Sequence, residues 1–398
     1  MSRAIALVDG EHYAEVVRDA LTGLDHDVVA AYLIGGTEKL RGGEDYGVAL
    51  VEDLDAGIAE YRPDVVVDLS DEPVLGPVER LRQASRVLAH GVSYVGADFR
   101  FDPPAFEPFH LPSIAVMGTG KRVGKTAVTG RIAHVLSQDR KVVVVAMGRG
   151  GPPEPEFIES PPTVGDLVAL SRAGGHAASD YLETAALAGV TTVGCRRCGG
   201  GMAGAVVTSN VLAGAALATT LEPDLVIFDG SGAALPPIAA DARILVAHDV
   251  EAGLNPYRVL VSDLVLTMDD RVAEQTAELT DAPVLGFDLR LRPSAPLEGR
   301  RTAVFTTGEA PVEPLAAEVV YVSRNLARRD LLRAELDQVD AEVYLVEIKA
   351  AAIDLVAEAA LERGVEVVFA ENELVCAGLE EQLRALLDRP REPDPILR

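Results

Sequence analysis

Short continuous runs of apolar residues recur along the chain, and each stops at a polar or glycine-rich cluster. Ala4-Ile5-Ala6-Leu7-Val8 ends at Asp9-Gly10-Glu11-His12, and a helix-like stretch then reaches about Leu24. Val28–Ile34 ends at Gly35-Gly36-Thr37-Glu38-Lys39, and Val65-Val66-Val67-Asp68-Leu69 ends at Ser70-Asp71-Glu72-Pro73. Unbroken apolar runs suit strands buried on both faces, whereas a half-solvated strand alternates. The rhythm predicts open parallel sheets flanked by helices, with polar clusters at the strand tips, where such sheets carry their sites.

The pattern repeats twice more. Ser113-Ile114-Ala115-Val116-Met117 leads through a glycine-rich loop into a predicted helix over about Lys125–Ser137. Further strands are predicted at Lys141–Ala146, Thr191–Val193, Leu225–Phe228, Ile244–Val246 and Leu264–Leu266. A last group lies at Ala303–Phe305, Val319–Val322, Val343–Val346 and Val365–Phe369. A chain of 398 residues exceeds one ordinary core. A Pro-rich break at Asp102-Pro103-Pro104 and the change of pattern near Arg301 divide it into three expected units. These are an N-terminal Rossmann-like α/β domain (1–110), a central domain (111–300) and a smaller C-terminal α/β unit (301–398). The Pro-rich tail Pro390–Pro395 is expected to fray.

Charge sharpens this picture. The net charge is −26, which argues against nucleic acid or an anionic membrane as partner. Residues 1–111 carry 9 basic and 21 acidic side chains, residues 112–300 carry 16 and 21, and residues 301–398 carry 11 and 20. Within the middle segment, residues 118–232 balance at 10 and 10, a neutral island that an anionic ligand can approach. Only five of the 36 basic residues are Lys; with the acid excess, this suggests a salt-loving host. No apolar run reaches the ~18–20 residues of a membrane span, and the N-terminus runs into a strand without a signal-peptide profile, so a cytoplasmic location is expected. Three cysteines, Cys195, Cys198 and Cys376, fit a reducing compartment.

Gly118-Thr119-Gly120-Lys121-Arg122-Val123-Gly124-Lys125-Thr126 stands between a predicted strand and helix. In that context glycines let backbone N–H groups curl around phosphate oxygens, and the helix N-terminus adds partial positive charge. The motif makes residues 111–300 a P-loop ATP-binding domain. Lys125 is expected on the β- and γ-phosphates and Thr126 on Mg²⁺. Six steps rather than five separate Gly118 from Gly124, with Thr119 where the first glycine usually stands. This spacing resembles the loop of dethiobiotin synthetase and related ATP-dependent ligases. Asp229, after four apolar residues, is the expected second Mg²⁺ ligand at a strand tip.

Cations gather in loops predicted to share this sheet edge. Arg149 follows a strand in a glycine-rich loop, Arg196 and Arg197 precede Gly199-Gly200-Gly201, and Lys121 and Arg122 belong to the P-loop. Arginines on glycine-rich backbone suit a multiply charged phosphate ligand. Arg149, Arg196, Arg197, Gly199 and Gly200 are therefore the expected substrate-binding residues, and Lys125, Lys121, Arg149 and Asp229 the expected catalytic ones. The lone Cys195-x-x-Cys198 pair reads as loop packing rather than a metal site. The strand tips Asp9–His12 and Asp68–Asp71 fit a substrate mouth and helix caps equally well.

These motifs together resemble the cyclic 2,3-diphosphoglycerate synthetase family. The resemblance rests on Val8–Tyr13, Ile34–Arg41, Asp68–Pro73, Gly118–Thr126, Ala146–Pro152, His176–Asp180, Thr192–Gly204 and Gly230–Ala234. It spans most of residues 1–300. It implies an archaeal, ATP-dependent ligase that closes 2,3-bisphosphoglycerate into an intramolecular phosphoanhydride, releasing ADP and phosphate. Mg²⁺ and K⁺ are the expected cations, and a homodimer the expected assembly. Position 229 departs from the Glu expected in the family; Asp keeps the charge but shortens the reach. The rival readings are another P-loop ligase or kinase, such as a 2-phosphoglycerate kinase, and a partitioning-type switch ATPase. The latter usually carries a second lysine where this chain has Gly120.

Overall fold

The computed structural model describes residues 1–308, 312 and 314–389, so the Pro390–Pro395 tail lies outside the described residues. Among them, three open sheets and a two-stranded ribbon form the frame. The first sheet has six strands in the order Ala49–Val51, His26–Gly35, Ser2–Asp9, Val65–Asp68, Ser93–Val95 and Arg100–Phe101. All its pairings are parallel except the last.

The central sheet runs Glu156–Ile158, Thr191–Cys198, Val142–Gly148, Leu225–Asp229, Ser113–Gly118, Ala242–Ala247, Leu264–Thr267 and Val284–Gly286, with Thr208–Ser209 pairing onto the end of Thr191–Cys198. Every residue of Ser113–Gly118, Val142–Gly148, Leu225–Asp229 and Ala242–Ala247 is buried, as their unbroken apolar character predicts for strands covered on both sides. The strand order of the sheet places Leu225–Asp229 beside Ser113–Gly118, with Asp229 opposite Val116. The strand tips bearing the P-loop, Asp229, Arg149 and Arg197 are thus set side by side along one edge.

Two expectations are corrected here. Cys195-Arg196-Arg197-Cys198 is not a loop but the end of the strand Thr191–Cys198: Arg196 is in register with Gly148, and Arg197 pairs antiparallel with Ser209. The strand Asp288–Pro293, which patterning left in the central segment, belongs to the last sheet. It pairs antiparallel with Glu366–Val375, and that sheet continues in parallel through Val343–Glu347, Arg301–Phe305 and Glu318–Ser323. Its mixed polar and apolar sequence gives no continuous run to find.

The units share cores. Leu54, Ala84 and Leu88 of the first unit bury against Leu245, Val250 and Tyr257 of the second. Ala146, Leu167 and Tyr181 of the second bury against Phe305, Tyr344 and Ile348 of the last. The helix Leu379–Leu387 returns to pack Leu379, Leu383 and Leu386 against Val128 and Ile132 of the helix Lys125–Leu136, directly under the P-loop. Leu383 is fully buried there. Leu383→Ala is therefore expected to cost about 2–5 kcal/mol, the range for a core leucine truncation, measured as a fall in urea midpoint at unchanged slope.

Candidate active site

Gly118 ends its strand with no room for a side chain; a Cβ there would lie 3.0 Å from the Gly232 carbonyl oxygen. Thr119, which stands where the first glycine is usual, is held by the neighbouring strand end. Its N–H donates to Val246 O at 3.2 Å, and its Oγ1 accepts from the His248 N–H at 3.0 Å. The Thr119 side chain is thereby committed to the scaffold. Gly120 faces open space. Arg122 (φ 62°) and Gly124 (φ 91°) adopt left-handed backbone two residues apart, the alternation that turns successive N–H groups toward a common centre. Val123 between them is buried in the core under the helix. The helix Lys125–Leu136 starts at Gly124, so its unpaired N–H groups open onto the same place.

Lys125 is buried and donates to Asp229 Oδ1, which also accepts from Thr129 Oγ1 at 3.0 Å. Asp229 Oδ2 is buried with no hydrogen-bond partner among the described residues. Burial pushes the Asp229 carboxyl above its usual range against the pull of Lys125, and the nearby Asp180 charge adds to the rise. A fully buried carboxylate oxygen without a partner costs free energy unless something binds it. With the Thr126 hydroxyl at the first turn of the same helix, the donor set is all oxygen, which fits a hard cation such as Mg²⁺.

Beside this pair lies the cationic cluster. Arg197 donates through Nη2 to Ser231 O at 2.7 Å and through Nη1 to Gly199 O at 2.9 Å. A Cβ on Gly232 would sit 2.9 Å from Arg149 Nη2, 3.8 Å from Arg197 Nη2 and 3.8 Å from Lys121 Cγ. Gly232 itself needs its glycine, with φ 60°. Burial and then the like charge of Arg149 lower the Arg197 pKa. Arg149 is exposed and has no hydrogen-bond or ion-pair partner among the described residues. Lys121, Arg149 and Arg197 therefore converge beside the P-loop. Arg196 does not join them: its neighbour in the strand faces Ser231, alternation turns Arg196 to the other side, and it is exposed there. Gly199 (φ 73°) and Gly200 carry the turn under Arg197, with a Gly200 Cβ position 3.4 Å from Arg197 Nη1.

Several contributors escaped the sequence. Asp180 starts the helix Asp180–Ala188 and acts electrostatically on both Asp229 and Arg197. Arg258, 2% exposed, makes every one of its hydrogen bonds to backbone carbonyls or an amide side chain. It donates to Ala233 O at 2.7 and 2.9 Å and to Met202 O at 3.0 Å, tying the loop after Asp229 to the loop after Arg197. Burial lowers its pKa to about 10. Its only sequence signal is a lone arginine inside the apolar stretch Pro256–Leu260.

The remaining motifs make local contacts away from this cluster. Cys195 is buried against Gly214, where a Cβ would come within 2.2 Å of its sulfur. Cys198 is exposed. In the N-terminal sheet, Asp9 accepts from the Glu11 N–H at 2.9 Å, bonds His12 Nδ1 at 2.7 Å and accepts from the Asp71 N–H at 2.7 Å. Asp68 accepts from Ser70, Arg80 and the Tyr94 hydroxyl. These bonds lock neighbouring strand tips to one another.

Models of the cyclic 2,3-diphosphoglycerate synthetase N-terminal domain, P-loop domain and C-terminal domain match residues 3–102, 113–281 and 293–373. A cyclic 2,3-diphosphoglycerate synthetase of Rubrobacter xylanophilus is 46% identical, covering 96% of this chain and 97% of the relative. The chain belongs to the cyclic 2,3-diphosphoglycerate synthetase family. Synthetases of the same name from Thermococcus gammatolerans, 42% identical over 93% of both chains, and Methanothermus fervidus, 38% identical over 93% of this chain and 92% of the relative, extend the likeness. No helix among the described residues is long and apolar enough to cross a membrane.

Two outcomes follow from this geometry. Gly232→Ala places a methyl against Arg149 on left-handed backbone; turnover is expected to drop at least about tenfold while stability falls by only about 1–2 kcal/mol, separated by parallel kinetics and thermal unfolding. The Cys195 thiol is pushed up to about 12 by burial, so a thiol reagent on the native protein should modify Cys198 and leave Cys195 unreacted, as peptide mass mapping would show.

Proposed function

We propose that the chain uses ATP to close 2,3-bisphosphoglycerate into its cyclic phosphoanhydride, releasing ADP and phosphate. The observation that carries this reading is proximity: Lys125 meets Asp229 at the P-loop, and Lys121, Arg149 and Arg197 gather around Gly232, three residues beyond Asp229. A ligase or kinase with a singly charged substrate has no use for three cations at the far side of the γ-phosphate position. The family membership supports the same reaction.

The substrate carries several negative charges near neutral pH, and ring closure forces its two phosphates together. Arg149 and the half-buried Arg197 offset that repulsion where the charges meet. In the first step an oxygen of one substrate phosphate attacks the γ-phosphorus of ATP, the bond to the bridging oxygen breaks, and ADP leaves. In the second, an oxygen of the other substrate phosphate attacks the substrate phosphorus so activated, and the transferred phosphoryl group departs as phosphate. Lys125, released from Asp229, neutralises charge on the transferred group, and the loop N–H groups hold the phosphates. Bound Mg²⁺ would sit on Thr126 and Asp229 and supply further charge neutralisation. No protein nucleophile takes part; positioning and electrostatics supply the acceleration. K⁺ and a homodimer belong to the same reading through the family resemblance alone.

Incubation with ATP, Mg²⁺ and 2,3-bisphosphoglycerate, followed by phosphorus NMR, should give a new phosphoanhydride signal and one equivalent of free phosphate. Lys125→Ala is expected to slow product formation by about a hundredfold or more, since it removes a charge aimed at the transferring group. Normal turnover in that variant, or ADP release without the phosphoanhydride, would count against the scheme.

A further inference from the structure

A cavity of about 380 Å³ has Arg149 of the cationic cluster in its lining, and one of its walls belongs to the C-terminal unit. Arg149, Ser231 and Asp180 line the side nearer the P-loop, and Arg329, Ala350 and Asp354 line the other. The volume is within the range of small-molecule sites. Arg329 and Asp354 form an ion pair, yet their side chains remain 49% and 39% exposed. An exposed pair of this kind adds little stability.

Three further observations single out this wall. Arg329 is the first residue of the helix Arg329–Leu336, where a cation opposes the helix dipole, so the fold gains nothing from a positive charge there. Arg324, Arg328 and Arg329 fall within six residues of an otherwise acidic unit. Beside Arg329 in the cavity lining, Ala350 is held in left-handed backbone (φ 47°), and Ile353 and Asp354 lie in a wide π-helical turn, Ala352–Ala357. Such irregular backbone, kept by a residue with a Cβ, recurs where a wall must be shaped for a ligand. The turn is pinned to the helix Asp180–Ala188 by Lys349, 3.5 Å from the buried Glu183. The two walls are thereby held at a fixed separation.

We infer that Arg329 is a substrate-binding residue: it takes the anionic end of 2,3-bisphosphoglycerate remote from the P-loop, leaving Asp354 as it does so. This rests on the reaction proposed above and gives the C-terminal unit a function in it. Arg149 holds the reacting end and Arg329 the distal end of one polyanion across the cavity. Asp354 is the internal anion that occupies Arg329 until substrate displaces it.

The test is steady-state kinetics with 2,3-bisphosphoglycerate and ATP varied separately, together with thermal unfolding. Arg329→Ala should raise KM for 2,3-bisphosphoglycerate about tenfold to a hundredfold, the effect of losing one charged hydrogen-bond partner, with KM for ATP within about twofold of wild type. Arg329→Lys should recover part of the loss. Asp354→Asn should move the same KM downward, because it removes a competitor for Arg329 and a repulsive charge. A purely structural ion pair would shift both variants in one direction and would alter unfolding instead. Unchanged KM in Arg329→Ala, or a raised KM in Asp354→Asn, overturns the inference while wild-type ring closure leaves the proposed reaction standing. Wild-type enzyme that makes no cyclic product overturns the reaction itself, and the role of Arg329 with it.

Discussion

The contact between Lys125 and Asp229 is the constraint around which the site is organised. A buried ammonium and a buried carboxylate exist together only because each neutralises the other; removing either would leave a charge in the sheet interior. The pair is made by topology, since Leu225–Asp229 lies next to the strand that feeds the P-loop. It also leaves Asp229 Oδ2 unpartnered at the point where phosphate charge must be met. In the proposed reaction, stability and chemistry thus draw on the same two side chains.

Around that pair the protein faces a difficulty of its own composition. A chain of net charge −26 must bring a polyanion to ATP, another polyanion. Its answer is local. Arg149, Arg197 and Lys121 are drawn together near the tips of adjacent strands, where burial and then the like charge of Arg149 lower the Arg197 pKa. Arg258 holds the supporting loops by their carbonyls, so the cluster does not relieve its repulsion by spreading apart. The C-terminal unit closes the far side of the cavity and packs under the P-loop helix through Leu379–Leu387, which ties the position of that wall to the helix that carries Lys125.

The sequence by itself determined the six inner strands of the central sheet, the glycine-rich loop, and the lysine and carboxylate that meet beside it, but not the edge strands Glu156–Ile158 and Val284–Gly286 or the short strand Thr208–Ser209. Their signals are local: unbroken β-branched runs, and glycines and a lysine at a spacing that only a strand–loop–helix turn makes useful. Asp180 and Gly232 lay inside motifs that marked the family without revealing a role, because nothing local distinguishes a cap or turn residue from one facing a ligand. Arg196 and Arg197 were indistinguishable as neighbours in a string. Only the pairing of Thr191–Cys198 with Val142–Gly148 gave them opposite faces and sent Arg197 alone to Ser231. Tertiary structure likewise decided that Asp288–Pro293 joins the last sheet, that Arg258 bridges two loops, and that Arg329 and Asp354 stand across a cavity from Arg149. Each of those facts depends on residues distant in the chain being brought together by packing, and the local pattern of apolar and polar positions carries no record of that distance.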